Sequence, residues 1–284
     1  MSHTRSALLL GFGYVAKATA PHLRAAGFQL AGTSRSIEKS NEMRALGVTP
    51  LIDPAVDELH EAMAAASHIL VSVPPGGGGD PVLEALGGDV DFSALDWLGY
   101  LSTTGVYGDA QGGWVTEATP PDPAEARSMR RLEAEQAWQA RSDRTRIFRL
   151  SGIYGPGRSA LDRVTAGTAR RIVKPGQVFS RIHVDDIAAA LMASIARPDV
   201  AGPFNLADEM PAPQADVTAF AAELLGVDPP PIEDFNSAGM SAMMRSFFSS
   251  SRRVSSEATR AALGWTLKYP DYRKGLQAIY DASI

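Results

Sequence analysis

An α/β fold built on a doubly wound parallel sheet, with a small C-terminal lobe, is predicted by three features of this 284-residue chain. The first is the opening from Ser6 to Arg35, where an apolar run, a glycine turn, an amphipathic stretch and a second apolar run follow in βαβ order. The second is the recurrence of strand-length apolar runs at His68–Val73, Trp97–Thr103 and Arg144–Leu150, spaced by helical patterns. The third is size: the length exceeds that of a usual domain, and 45% hydrophobic residues are ample for a core. Proline and glycine punctuate the chain, but no tract is long enough for a disordered linker and no internal repeat is found.

From the N-terminus, Ala7–Leu10 reads as a buried strand, Gly11-Phe12-Gly13 as a turn, the next stretch as a helix ending at Gly27, and Phe28–Thr33 as a second strand. The turn has the G-x-G-x-x-A form that receives a dinucleotide pyrophosphate. Gly11 permits the tight turn, Gly13 lets backbone N–H groups approach phosphate, and Ala16 lets helix and strand pack closely. With Phe12, Tyr14 and Val15 these residues form the candidate cofactor turn, where the helix contributes unpaired donors and its positive dipole end.

Ser34-Arg35-Ser36 follows the second strand, where an acidic residue would bond the adenosine ribose of NAD. A hydroxyl followed by arginine can instead hold a 2′-phosphate, which favours NADP(H) over NAD(H); the plain alternative is a solvated loop arginine. Ile37–Leu46 reads as a helix capped by Gly47, and Val48–Ile52 as a third strand ending in Asp53. Asp53 suits either a bond to the adenine amino group or a turn with Pro54. A helix over Asp57–Ala66 precedes the strand His68–Val73, which ends in PPGGGGDP, a ligand-side loop or simply a flexible one. Val73, Pro74 and Ser102 complete the candidate cofactor residues at strand carboxyl ends. Asp185-Asp186 reads as the negative start of a helix, Pro213–Leu225 as a further helix, and DPPPIEDF as a break in regular structure.

Composition excludes several functions. With 27 basic and 32 acidic side chains the net charge is only −5, which argues against nucleic acid or an anionic membrane as partner. The absence of cysteine removes disulfides, thiolate metal sites and cysteine nucleophiles, and the five histidines lack zinc-site spacing, so no metal is expected. The first apolar run is too short to span a membrane, and a cytoplasmic location is the expectation.

The fifth strand ends in LSTTGVYGD, and FRLSGIYGPGR (Phe148–Arg158), SRIHVDDIAAAL (Ser180–Leu191), FNLADE (Phe204–Glu209) and RRVSSEATRAALGW (Arg252–Trp265) follow in order. In this succession the chain resembles the extended short-chain dehydrogenase/reductases of the nucleotide-sugar epimerase and dehydratase type. The resemblance implies a Rossmann-like sheet of about seven strands over one continuous unit, 1–284. Residues 1–157 would mainly form the dinucleotide-binding core and 158–284 mainly the substrate lobe, with residues near 180–207 returning to the core. It also implies that Thr103, four residues before Tyr107, polarises the substrate oxygen. A hydroxyl at a strand end can donate to a developing alkoxide, or else bond local backbone.

The Tyr-x-x-x-Lys pair of that family is absent: its frame falls on Arg127 and Arg131. A guanidinium stays protonated and cannot replace the acid, although Arg131 can contact the nicotinamide ribose and Arg127 an anionic substrate; both also suit a solvated helix face. Tyr107 and Tyr154 are the remaining candidate proton donors. Phe179 stands where the resemblance expects a diphosphate-binding arginine, while Arg158, Arg181, Arg245 and Arg252 are candidate anion ligands. The expected function is an atypical NADP(H)-binding oxidoreductase or epimerase/dehydratase-like enzyme acting on a small or sugar-like anionic substrate. The alternative is a non-catalytic nucleotide-binding regulator or redox sensor. By resemblance, a homodimer would pack through Ala124–Arg141.

Overall fold

The first strand is extended because it is buried on both faces. Ala7 and Leu9 join one apolar cluster and Leu8 and Leu10 the opposite one, and none is more than 4% exposed. Such a division with period two marks a central parallel strand. The computed structural model describes residues 5–87 and 90–283.

In it, β1 (Ser6–Leu10) is followed by α1 (Tyr14–Ala25), β2 (Gln29–Ser34), α2 (Lys39–Ala45), β3 (Val48–Ile52), α3 (Val56–Ala64), β4 (His68–Val71), α4 (Pro81–Leu86) and β5 (Trp97–Thr103). A 3-10 turn at Thr104–Tyr107 and the short β6 (Trp114–Val115) lead to α5 (Ala126–Arg141), β7 (Thr145–Leu150), β8 (Gly152–Tyr154), α6 (Ala160–Thr165), β9 (Arg171–Val173), β10 (Arg181–His183), α7 (Val184–Ile195) and β11 (Phe204–Leu206). The chain closes with α8 (Gln214–Leu224), β12 (Ile232–Asp234), α9 (Ala242–Phe247), β13 (Arg253–Val254), α10 (Glu257–Leu263) and α11 (Tyr272–Asp281).

Seven strands form one parallel, Rossmann-like sheet in the order β11-β7-β5-β4-β1-β2-β3. The order turns back at β1, which has β2 on one side and β4 on the other, so the ligand crevice lies beyond the carboxyl ends of β1 and β4. Helices α1 and α7 cover one face through Val15, Ala16, Ile187 and Leu191. Helices α3, α4 and α5 cover the other through Leu59, Val82 and Trp138. The fully buried Trp138 also donates its indole N–H to Asp80 Oδ2 at 2.9 Å, and Asp80 Oδ1 caps α4, so one carboxylate ties helix to helix.

Two local expectations are corrected. Strand pairing of β4 stops at Val71 rather than Val73, since Ser72 turns its hydroxyl to the carbonyls of Leu10 and Gly11 and the two prolines that follow Val73 carry no N–H. The DPPPIEDF stretch is not wholly irregular: once past its prolines, β12 pairs in parallel with β9, Ile232 opposite Arg171.

Outside the sheet, α6, α8 and α11 pack around Tyr154, Leu161, Val217, Tyr272 and Leu276. A neighbouring cluster holds Ile172, Ala238 and Phe248. The segment before β13 is strapped to the core: Ser251 N–H donates to Asp109 Oδ1 at 2.7 Å, and Arg252 and Arg253 donate to the carbonyls of Gly108 and Gly112. Residues 180–207 carry α7 and β11 back to the sheet.

Candidate active site

The glycine turn lies at the crevice and is shaped to admit a ligand. Gly11 has φ +86°, and a Cβ there would meet Val73 Cγ2 at 2.9 Å and Ser72 Oγ at 3.0 Å, so its backbone conformation and the segment just past β4 favour glycine. Its N–H donates to Thr33 Oγ1 at 2.8 Å, and that of Phe12 to the Thr33 carbonyl at 2.8 Å. Gly13 differs: a Cβ there would meet no atom within 4 Å, so space opens in front of α1. Gly13 caps α1 without a side-chain acceptor and no acidic residue stands in the first turn. The N–H groups of Tyr14, Val15 and Ala16 therefore keep their donor capacity beside the positive dipole end. Open space, free donors and missing acids together fit a dinucleotide pyrophosphate.

At the end of β2, Ser34 Oγ accepts from Ser36 N–H at 3.1 Å and Arg35 is exposed. Lys39, the first residue of α2, reaches back to the Phe12 carbonyl at 3.4 Å, adding a second cation beside this turn. Glu38 is engaged by the Ser36 hydroxyl, which holds its carboxyl below the usual range. Asp53 is exposed with φ +46°, its N–H bonded to the Ser34 carbonyl at 2.8 Å; it forms the turn after β3. Val73 is half-buried and Pro74 exposed, next to the glycine loop in which Gly76 N–H meets the Gly79 carbonyl at 2.7 Å.

The corner formed by β5 and α5 is built differently. Thr103 is half-buried at the end of β5, and its Oγ1 accepts from Gly105 N–H at 3.1 Å. A hydroxyl used as an acceptor keeps its own hydrogen to donate. Two residues on, a Cβ at Gly105 would lie 2.7 Å from Ser128 Oγ; the first turn of α5 closes tightly on this loop. Ser102, on the other side of β5, is 5% exposed and donates to Glu135. Glu135 and Arg149 form a buried fork, with Arg149 Nη2 to Glu135 Oε2 at 2.8 Å and Nε to Oε1 at 3.2 Å. Ser102 thus supports that ion pair.

Arg127 is exposed, its guanidinium 5.1 Å over the Phe247 ring of α9. Arg131 is half-buried and donates to the Leu101 carbonyl at 2.9 Å and the Tyr100 hydroxyl at 3.2 Å, which ties it to β5. Tyr107 is 4% exposed; its hydroxyl donates to Asn205 Oδ1 at 2.8 Å and its ring lies under Arg149 at 4.9 Å. Tyr154 is 7% exposed, with its hydroxyl toward the Asp271 carbonyl at 3.4 Å and its ring edge-on to His183. Burial pushes both phenols above their ordinary value, the wrong direction for proton exchange near neutrality.

The four candidate anion ligands are held at separate places. Arg158 is exposed and stacks over Tyr14 at 5.5 Å; the Tyr14 hydroxyl donates to the Pro156 carbonyl at 3.0 Å, so this arginine is drawn to the cofactor turn. Arg181 donates to the carbonyls of Phe179 and Ala212 at 2.8 and 3.0 Å, and burial lowers it to about 10. Arg245 is exposed, 5.1 Å over the Phe235 ring. Arg252 bonds the Gly108 carbonyl and Ser250 Oγ. The sequence reading missed Thr33, Lys39, Glu135 and Arg149; only Lys39 had a local signal, a base shortly after Arg35 at a helix start.

Among the described residues no group of three His, Asp or Glu can hold a metal, and no helix is long and apolar enough to cross a membrane. Asp185 and Asp186 occupy the first turn of α7, where Asp186 accepts from Lys268 and Tyr269 N–H at 2.7 and 3.0 Å.

Comparison with known proteins places this geometry. The model of the NAD dependent epimerase/dehydratase family matches residues 82–207. Protein YeeZ of Escherichia coli (strain K12) is 27% identical over 280 residues, covering 93% of this chain and 96% of that protein. A solved structure of a functionally unknown conserved protein from Silicibacter pomeroyi DSS is 45% identical, covers 99% of both chains and superposes with TM-score 0.90. A human epimerase family protein solved with NADPH shares the fold, with TM-score 0.78 at 17% identity over 97% of this chain and 99% of that one.

Proposed function

The chain belongs to the NAD-dependent epimerase/dehydratase family of extended short-chain dehydrogenase/reductases, and from that premise we propose that it binds NADP(H) and carries out hydride transfer on a small anionic substrate. The observation that carries this reading is the acid-free, open first turn of α1 beyond a glycine at φ +86° that Ser72 and Val73 crowd. Tyr14, Val15 and Ala16 offer backbone N–H groups to the pyrophosphate, while Arg35 and Lys39 offer charge to a 2′-phosphate. When bound, the nicotinamide supplies or accepts the hydride.

Thr103 donates to the substrate oxygen as negative charge develops there, while its Oγ1 accepts from Gly105 N–H through one lone pair. Arg127 and Arg158 are the exposed cations offered to the substrate's anionic group. Transfer of deuterium from labelled NADPH to a carbonyl substrate tests the reading. Thr103→Ala is expected to lower kcat about 100-fold with NADPH affinity unchanged; equal rates in both proteins would remove Thr103 from its role.

A second reading, a sensor of nucleotide occupancy, is favoured by one observation: Tyr107 and Tyr154 are both buried and bonded elsewhere. Hydride exchange with any substrate excludes it.

A further inference from the structure

The loop that follows β8 reaches across to the first residue of α1. Tyr14 is half-buried, and its hydroxyl donates to the Pro156 carbonyl at 3.0 Å. A Cβ on Gly155 would meet the Tyr14 hydroxyl oxygen at 2.5 Å and Val184 Cγ1 at 2.7 Å, so loop, ring and the start of α7 are in close contact. Burial pushes the Tyr14 phenol up to about 12, which keeps it a donor to that carbonyl. The loop closes on itself, Arg158 N–H donating to the Gly155 carbonyl at 3.0 Å, and Ser159 then starts α6 in a capping box with Asp162.

Arg158 is exposed, and its guanidinium lies 5.5 Å from the centroid of the Tyr14 ring. Among the described residues no carboxylate and no hydrogen-bond acceptor holds that guanidinium. The two carboxylates that act on Tyr14 alongside it are engaged elsewhere: Asp162 accepts from the N–H and Oγ of Ser159, each at 2.6 Å, and Asp185 lies 3.7 Å from Lys268 Nζ. A guanidinium stacked on a ring is oriented, yet it keeps its five N–H donors for a ligand.

The glycine turn has a use for that charge. Its expected anion is a pyrophosphate, but the turn itself offers only backbone N–H groups, and Lys17 of the same helix is paired with Glu42. Arg35 and Lys39 follow β2, on one side of β1, whereas Arg158 follows β7 and β8, on the other side. We propose that Arg158, seated on Tyr14, is a cofactor-binding residue that donates to the pyrophosphate and so ties the bound dinucleotide to the loop leading into α6 and the lobe. One edge of the guanidinium serves the phosphates, and the other stays available to the substrate's anionic group. The assignment rests on reading the turn as a dinucleotide site, and it adds to that site a residue from the second half of the chain.

Calorimetric titration of the full chain and of Arg158→Ala with NADPH, NADH and adenosine 2′-monophosphate tests it. Both dinucleotides carry the pyrophosphate, so Arg158→Ala is expected to weaken each by about 10-fold, the worth of one charge-assisted hydrogen bond, with unchanged circular dichroism. The 2′-monophosphate lacks the pyrophosphate and should bind both proteins alike. Arg158→Lys keeps the charge without the fork and is expected to recover part of the loss. Tyr14→Leu removes the seat and leaves the backbone N–H; both dinucleotides should weaken about 3-fold, and the double variant should lose no more than Arg158→Ala alone. The proposal is overturned if a folded Arg158→Ala binds NADPH as the wild type does, if the 2′-monophosphate is weakened as much as NADPH, or if the losses in the double variant simply add. The Arg158 variants decide even where Tyr14→Leu does not fold. Wild-type binding of NADPH with no loss in Arg158→Ala overturns the role of Arg158 alone; wild-type binding of neither dinucleotide contradicts the cofactor reading and this role with it.

Discussion

The turn between β1 and α1 and the corner between β5 and α5 stand at the carboxyl edge of one sheet with β4 between them, yet they are built on opposite principles. The first is open: a glycine with free space before it, a helix N-terminus without a side-chain cap, and no acid in the helix's first turn. The second is filled: Glu135, Arg149, Ser102, Tyr107 and Asn205 join in one buried polar network, and Arg131 is tied to β5. Open donors serve a ligand, whereas satisfied ones serve the fold. Retention of the cofactor turn therefore says little about which acid moves a proton.

The sharpest way to break this contrast is to remove one half of the buried ion pair. Glu135→Gln leaves Arg149 charged in a site where its side chain is 7% exposed, and a loss of about 3–5 kcal/mol is expected in urea unfolding. Replacing both partners with Leu and Met is expected to recover most of it. A loss below about 1 kcal/mol for the single variant would mean that the network is dispensable.

On the open side, Gly13→Asp places a carboxylate where the anion is expected. The position has φ −98° and free space, so the fold tolerates a side chain. NADPH affinity should fall about 100-fold with the melting temperature unchanged. Arg35→Ala and Lys39→Ala are each expected to weaken NADPH about 10-fold and leave NADH untouched, since one charge-assisted bond to a solvent-exposed phosphate is lost. Equal losses for both nucleotides would place these cations elsewhere on the ligand.

The smallest effects are those of pH. Burial lowers His68 and His183 to about 4. Both stay neutral in the fold, so their contribution is complete above about 6.5 and is lost as pH falls from there toward 4. Burial pushes Asp208 up to about 8, the opposite case: the folded state holds the proton, and stability declines as pH rises from about 4 toward 8. Asp208→Asn should therefore raise the melting temperature by about 2–4 °C at pH 8 and by less at pH 5. A uniform shift at both pH values would assign the effect to packing rather than to ionisation.

Much of the open region is legible in the sequence because it is local. The apolar run, the glycine turn and the helix lie within twenty residues, and each leaves a periodic or compositional mark. The filled region is not legible for the converse reason. Glu135 and Arg149 look like ordinary charges on a helix and a strand, and only the pairing of β5 with β7 under α5 joins them. Tyr107 and Tyr154 pass as proton donors in the sequence because burial is a tertiary property. β12 hides behind its prolines.

The central claim, that the open turn holds a phosphorylated nicotinamide dinucleotide, is tested most directly by calorimetric titration of the wild-type protein with NADPH and NADH in parallel. The account predicts saturable NADPH binding at one site per chain, at least about 10-fold tighter than NADH. Absence of NADPH binding, or NADH binding as tightly, would contradict it.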